Sequence, residues 1–167
     1  MKPKAISITG LVAGMMLLAV SVAGAVGQAD LAPIRAATAK YHQLDAAQAA
    51  GYGLVPGLDY CFNNPGVGGM GYHYINTSLL DLSVNPLQPE ALVYVSRPDG
   101  SLQLGAVEYL IPISAWDAAH PDGSLPKIFG DTMERDTGDG VYERHVWLWQ
   151  YNPLGIFADW NPMVTCP

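Results

Sequence analysis

Positive charge is scarce in this chain: eight Lys and Arg stand against fifteen Asp and Glu in 167 residues, a formal net charge of −7 at pH 7. Two of the eight, Lys2 and Lys4, sit at the very start, so from Asp30 onward six cations face all fifteen acids and the net charge is −9. The six (Arg35, Lys40, Arg97, Lys127, Arg135 and Arg144) are scattered rather than gathered into a stripe. An acidic surface with no basic patch repels phosphate, which argues against nucleic acid as a partner. Cysteine is scarcer still, with Cys61 and Cys166 alone. The chain also has no internal repeat, no P-loop, no dinucleotide-binding glycine fingerprint leading into a helix and no Gly-x-Ser-x-Gly elbow. Nucleotide chemistry and Ser-His-Asp hydrolysis therefore lack their usual carriers. Carboxylates are too many for any one pair to point to glycoside hydrolysis.

What is present begins with Lys2 and Lys4 followed by an uncharged apolar run over residues 5–29, with small residues at Ala23-x-Ala25 and Gly27-x-Ala29. This reads as a cleaved secretory signal over residues 1–29, leaving one domain over residues 30–167 that is secreted or held in the periplasm or cell envelope. Left uncleaved, a run of this length would span a bilayer, the one route to a membrane partner. In an exported chain an even pair of cysteines reads as a disulfide, Cys61–Cys166, that returns the tail to the middle of the sequence. Closing a loop of about a hundred residues is worth on the order of 4–5 kcal/mol in the chain-entropy model.

Residues 30–50 are alanine-rich, with Pro33 near their start and Gly51 just beyond their end. They predict one helix with Ile34, Ala37, Tyr41, Leu44 and Ala47 as its apolar stripe. Beyond Gly51 come short β-prone runs separated by Pro, Gly, Asn and Asp. Runs at 91–95 and 102–111 flank Arg97-Pro98-Asp99-Gly100, which predicts an antiparallel hairpin because Pro presets one turn angle and Asp-Gly tolerates another. Residues 111–140 read as a long irregular stretch; its segment Asp136-Thr137-Gly138-Asp139-Gly140 lacks the ligand spacing of an EF-hand and reads as a solvated turn. A last strand is predicted over 141–151. The fold class is α+β: an N-terminal helix packed on a mainly antiparallel sheet or small β-barrel, with long irregular loops.

Three polar residues stand out against this pattern. Four glycines within Gly66-Val67-Gly68-Gly69-Met70-Gly71 lead into Tyr72-His73-Tyr74-Ile75, so a specific backbone geometry delivers His73 to a strand with Tyr72 and Tyr74 on the other face. Period-two alternation puts Glu108 on a face with Leu102, Leu104, Ala106 and Leu110, where a carboxylate is costly unless a cation, a metal or donors meet it. The same alternation puts Glu143, His145, Trp147, Trp149 and Tyr151 on one face of the last strand. Two imidazoles and a carboxylate satisfy one another best around a divalent metal, Zn, Fe, Mn or Cu, with His42 as an additional candidate and a small molecule as the partner. The competing reading has each histidine bonded to a backbone carbonyl and Glu108 paired with an arginine. A further alternative is a non-catalytic binding module, its pocket walled by Tyr72, Tyr74, Trp147 and Trp149 and holding an apolar or carbohydrate ligand.

Tyr41-His42, the segment from Ala46 to Tyr52, Gly69-Met70-Gly71-Tyr72-His73-Tyr74, Ala106-Val107-Glu108-Tyr109, His145-Val146-Trp147-Leu148-Trp149 and Asn161-Pro162-Met163-Val164-Thr165-Cys166 together resemble a group of exported bacterial proteins of uncharacterised function. The resemblance covers nearly all of the chain after residue 29. It supports the boundaries and the disulfide and implies no activity. A looser likeness is to cupins, small β-barrels that hold a metal with histidines and a glutamate. Their first motif has two histidines one residue apart with a glutamate close behind, whereas here Tyr72 and Tyr74 flank one histidine and Glu108 follows His73 by 35 residues. Any such site must be assembled from three separate strands.

Overall fold

A continuous apolar run, Ala91-Leu-Val-Tyr-Val95, is buried along its whole length, as a strand must be when both faces of its sheet are covered. In the computed structural model, which describes residues 31–167, this run lies in the middle of an open six-stranded sheet. The strands are β1 (Phe62–Asn64), β2 (Gly68–Ile75), β3 (Ala91–Ser96), β4 (Leu102–Pro112), β7 (Glu134–Asp136) and β8 (Val141–Val146), in the order β1-β2-β3-β4-β8-β7. Every pairing is antiparallel, and a two-stranded ribbon of β5 (Lys127–Ile128) and β6 (Asp131–Thr132) stands apart. The protein is therefore α+β. The signal segment expected over residues 1–29 lies outside the described residues.

One face of the sheet carries the N-terminal helices and the larger core, in which Ile34, Tyr41, Ala47 and Tyr52 pack with Tyr74, Leu92, Tyr94, Val107, Tyr109 and Ile111. The single helix expected over 30–50 is instead three short pieces: α1 (Ala32–Thr38), a 3-10 turn (Ala39–His42) and α2 (Leu44–Ala49). The break has two visible causes. The Thr38 hydroxyl donates to the carbonyl of Ile34, and the Tyr41 carbonyl accepts from the Tyr94 hydroxyl at 2.6 Å, so it is engaged by the sheet rather than by the next helical turn. The end of α2 is as expected: Gly51 has φ 95°, its amide bonds to Gln48 and that of Tyr52 to Ala47, the paired bonds of a Schellman cap.

The other face carries a smaller core of Val93, Val95, Ala106, Trp147 and Val164, roofed by the C-terminal tail. The tail docks through Asn161, whose backbone exchanges bonds with that of Gly69 in both directions, and through the Cys61–Cys166 disulfide. The glycines before His73 exist for this approach. A Cβ at Gly68 (φ 149°) would strike the Asn161 backbone, and one at Gly71 (φ 114°) the carbonyl of Tyr94.

The hairpin of β3 and β4 forms as predicted, with the Gly100 amide bonded to Arg97 and the Arg97 amide to Ser101. Its strands are not in simple alternation. The register slips at Gly105, so that Tyr94 faces Leu104 while Val93 faces Ala106. The bulge turns Leu104 into the helix-side core and leaves Ala106 and Glu108 on the tail side. The last strand is also shorter than the predicted 141–151: it ends at Val146, where the Trp147 amide turns to Ile156 and those of Trp149 and Gln150 converge on the carbonyl of Gly105. The irregular stretch 111–140 contains a short helix, α3 (Ile113–Ala119), as well as β5, β6 and β7.

Candidate metal centre

His73 comes from β2, Glu108 from β4 and His145 from β8, and all three side chains point to the tail side of the sheet. Between β2 and β4 lies β3, which sets Val93 opposite His73 and Ala91 opposite Glu108. Short side chains at these two points leave the imidazole room to cross above the intervening strand. β8 needs no such bridge, since His145 and Glu108 are direct register partners.

The result is a closed triangle. His73 Nε2 is 3.5 Å from Glu108 Oε2, and His145 Nδ1 is 3.2 Å from Glu108 Oε1. The imidazoles face each other edge to face with centroids 5.5 Å apart. One ligand atom from each residue lies within 4.8 Å of the other two. All three residues are buried, His145 completely. Within this buried site His73 Nδ1 and His145 Nε2 make no hydrogen bond, and His145 Nδ1 has only its 3.2 Å contact with the Glu108 carboxylate. Buried polar groups are nearly always satisfied, so two unpartnered ring nitrogens beside one carboxylate are electron-pair donors that a metal ion would satisfy. The competing expectation, histidines bonded to carbonyls and Glu108 to an arginine, is not met: Glu108 is partnered by the two histidines.

The electrostatics suit a cation. Burial pushes the His73 imidazole down to about 4, outweighing the pull of Glu108, so it is neutral and free to ligate at neutral pH. Burial opposes ionisation of Glu108, but His145 and His73 more than compensate and hold its carboxyl well below the usual range. Glu143, two residues before His145 on the same face, behaves oppositely. Burial and the neighbouring Glu108 carboxylate push it far above the usual range, so it keeps its proton at neutral pH. Asp159 of the tail is raised too, to about 6, by burial and then by Glu134.

A cavity of about 230 Å³ opens beside the triangle. His73, Glu108 and Glu143 belong to its wall, Asp136 and Asp139 lie towards solvent, and the rest is mainly apolar, including Phe62, Met70, Leu110 and Trp160. Phe62 packs edge-on against the His73 ring with centroids 4.7 Å apart.

The remaining sequence candidates lie elsewhere. His42 is exposed on the helix side, its ring against Trp149 at 4.4 Å between centroids, and takes no part in the cluster. Tyr72 and Tyr74 are on the helix-side face, and neither lines the cavity. Trp147 stacks on His145 within the smaller core, while Trp149 packs with the larger one, so the end of β8 at Val146 separates two residues that alternation had put on one face. Trp147, Trp149 and Tyr151 do share a different, shallow surface cleft of about 350 Å³ with Arg35. Sequence reasoning did not single out Glu143, Phe62 or Trp160. Only Glu143 carried a signal, the period-two spacing that aligns it with His145; the other two reach the site through a disulfide-held approach and a tail without regular structure. Comparison with protein-family models, with curated proteins and with solved structures gives no match.

Proposed function

We propose that this is an exported metal-binding protein whose site is His73, Glu108 and His145. One observation carries the reading: three buried side chains from separate strands converge, and their ring nitrogens are otherwise without partners. Two nitrogens and one carboxylate oxygen suit Zn²⁺, Fe²⁺, Mn²⁺ or Cu²⁺, and such a set leaves coordination positions open for water or a small molecule. Glu143 shares the cavity wall with His73 and Glu108 and would be a further oxygen donor once its proton leaves. A bound divalent ion supplies Lewis acidity or, for iron and copper, electron transfer; the chain's own part is to hold the neutral His73 imidazole, His145 and the ionised Glu108 carboxylate together in a buried site. Export is supported by the apolar leader of the sequence and by the Cys61–Cys166 bond, which fits an oxidising compartment. The resemblance to exported bacterial proteins agrees with that placement.

Metal analysis of the secreted protein, purified without chelators, tests the reading. About one equivalent of a single transition metal is expected in the wild type, with near-complete loss in His73→Ala and His145→Ala. A wild type that stays metal-free after supplementation with all four ions would end it, as would alanine variants that retain full metal content.

A further inference from the structure

We infer that the cavity beside the triad binds a small apolar amine, with the ammonium group held by the carboxylates at its mouth and the hydrocarbon body against the wall. The inference rests on the metal-site reading only in taking the triad as part of the cavity wall. Three observations support it. The first is size: about 230 Å³ lies below the roughly 300–1,000 Å³ of pockets for drug-sized ligands, which limits the occupant to one ring or a short chain. The second is the wall itself. Leu58, Phe62, Met70, Ile75, Leu110 and Trp160 surround the space with aliphatic and aromatic surface that gains from burying hydrocarbon.

The third is charge. Asp136, Asp139, Glu108 and Glu143 all line the cavity, and among the described residues no lysine or arginine does. In the metal-free protein a carboxylate ligand would meet the Asp136 and Asp139 carboxylates at the mouth with no lysine or arginine in the described wall to receive it, while an ammonium finds those two carboxylates as partners. The acids alone would describe only a solvated rim. What marks a ligand site is His73 in the same wall, 5% exposed, with Nδ1 lacking any hydrogen-bond partner. Trp160, also in the wall, provides an intrinsic reporter.

The test uses the full secreted protein, metal-loaded and chelator-treated, titrated with 2-phenylethylamine and phenylacetate, which share a phenyl group and differ in the sign of the head. Binding is followed by calorimetry and tryptophan fluorescence. In the chelator-treated protein, where no bound ion can take up the acid, the amine should bind about tenfold or more tightly than the acid. Asp139→Asn, an exposed change, should narrow that gap, and Leu58→Trp, which fills the cavity from a loop, should remove amine binding while the thermal transition persists. Equal affinities, tighter phenylacetate binding, or no binding of either probe would overturn the inference. Metal content measured on the same samples separates the two readings. Amine preference in a protein that takes up no metal leaves this inference standing and removes the metal site; metal uptake without amine preference does the reverse.

Discussion

Glu108 and His145 are register partners on neighbouring antiparallel strands, and their side chains meet with Oε1 3.2 Å from Nδ1 in a fully buried setting. Sheet register alone brings these two together, and His73 joins them only because β3 offers alanine and valine beneath its path. A carboxylate so placed either neutralises a cation or is a standing cost to the fold.

Replacing Glu108 with Gln keeps the shape of the side chain and removes its charge. We expect Glu108→Gln to bind Zn²⁺ at least about a hundredfold more weakly than the wild type, measured by competition with a chelating dye. In the wild type, saturating metal at about a hundred times Kd should add about 2.7 kcal/mol of stability, since the donors converge only in the folded chain. A Gln variant with unchanged affinity would remove Glu108 from the ligand set.

The disulfide joins residues 105 positions apart and anchors the tail that roofs the site. Cys166→Ser should cost about 2–5 kcal/mol and lower the melting temperature, while the helices and the β3–β4 hairpin persist in circular dichroism. Metal affinity should fall as well, because the approach to His73 through Cys61 and Phe62 is no longer held. An unchanged melting temperature would show that the tail docks without the bond.

Gly71 has φ 114°, and a methyl group there would drive into the carbonyl of Tyr94 on the paired strand. Gly71→Ala should destabilise by about 3 kcal/mol or more, read from chemical denaturation. Gly57→Ala supplies the control, since its φ of 90° carries similar backbone strain but nothing lies within 4 Å of the added Cβ. Equal losses in the two variants would mean that the close approach of β2 to β3 contributes nothing.

Glu90 is buried just before β3, with its Oε2 accepting from the Leu110 amide of β4 at 3.1 Å. Burial pushes its carboxyl from 4.5 up to about 7, against the pull of that amide. Between those values the folded chain holds a proton that the unfolded chain has released, so this contribution to stability is complete below about pH 4.5 and is lost as pH rises through about 7. Its size is on the order of 1–3 kcal/mol. Glu90→Gln, which keeps the acceptor, should flatten this part of the stability profile in denaturation midpoints taken at pH 5 and pH 8. The same slope in both proteins would assign the effect to another group.

What the sequence determined by itself is local. Arg97-Pro98-Asp99-Gly100 specifies its turn through the chemistry of four residues, Gly51 ends its helix because it alone tolerates the required φ, and compartment logic pairs the two cysteines. Glu108 and the two histidines stood out because each broke an apolar pattern, and a polar residue at a buried position needs a partner wherever it folds. Only the tertiary structure decided what that partner is. The slip at Gly105 chose which residues of β4 share a face with Glu108, and the end of β8 at Val146 parted Trp147 from Trp149. The hydroxyl of Tyr94, 53 residues away, helped break a helix that local propensity would have continued. The cavity likewise depends on Phe62 and Trp160, delivered by a disulfide-held approach and a tail without periodicity. Each of these outcomes follows from contacts between residues distant in the chain, and short-range spacing carries no record of them.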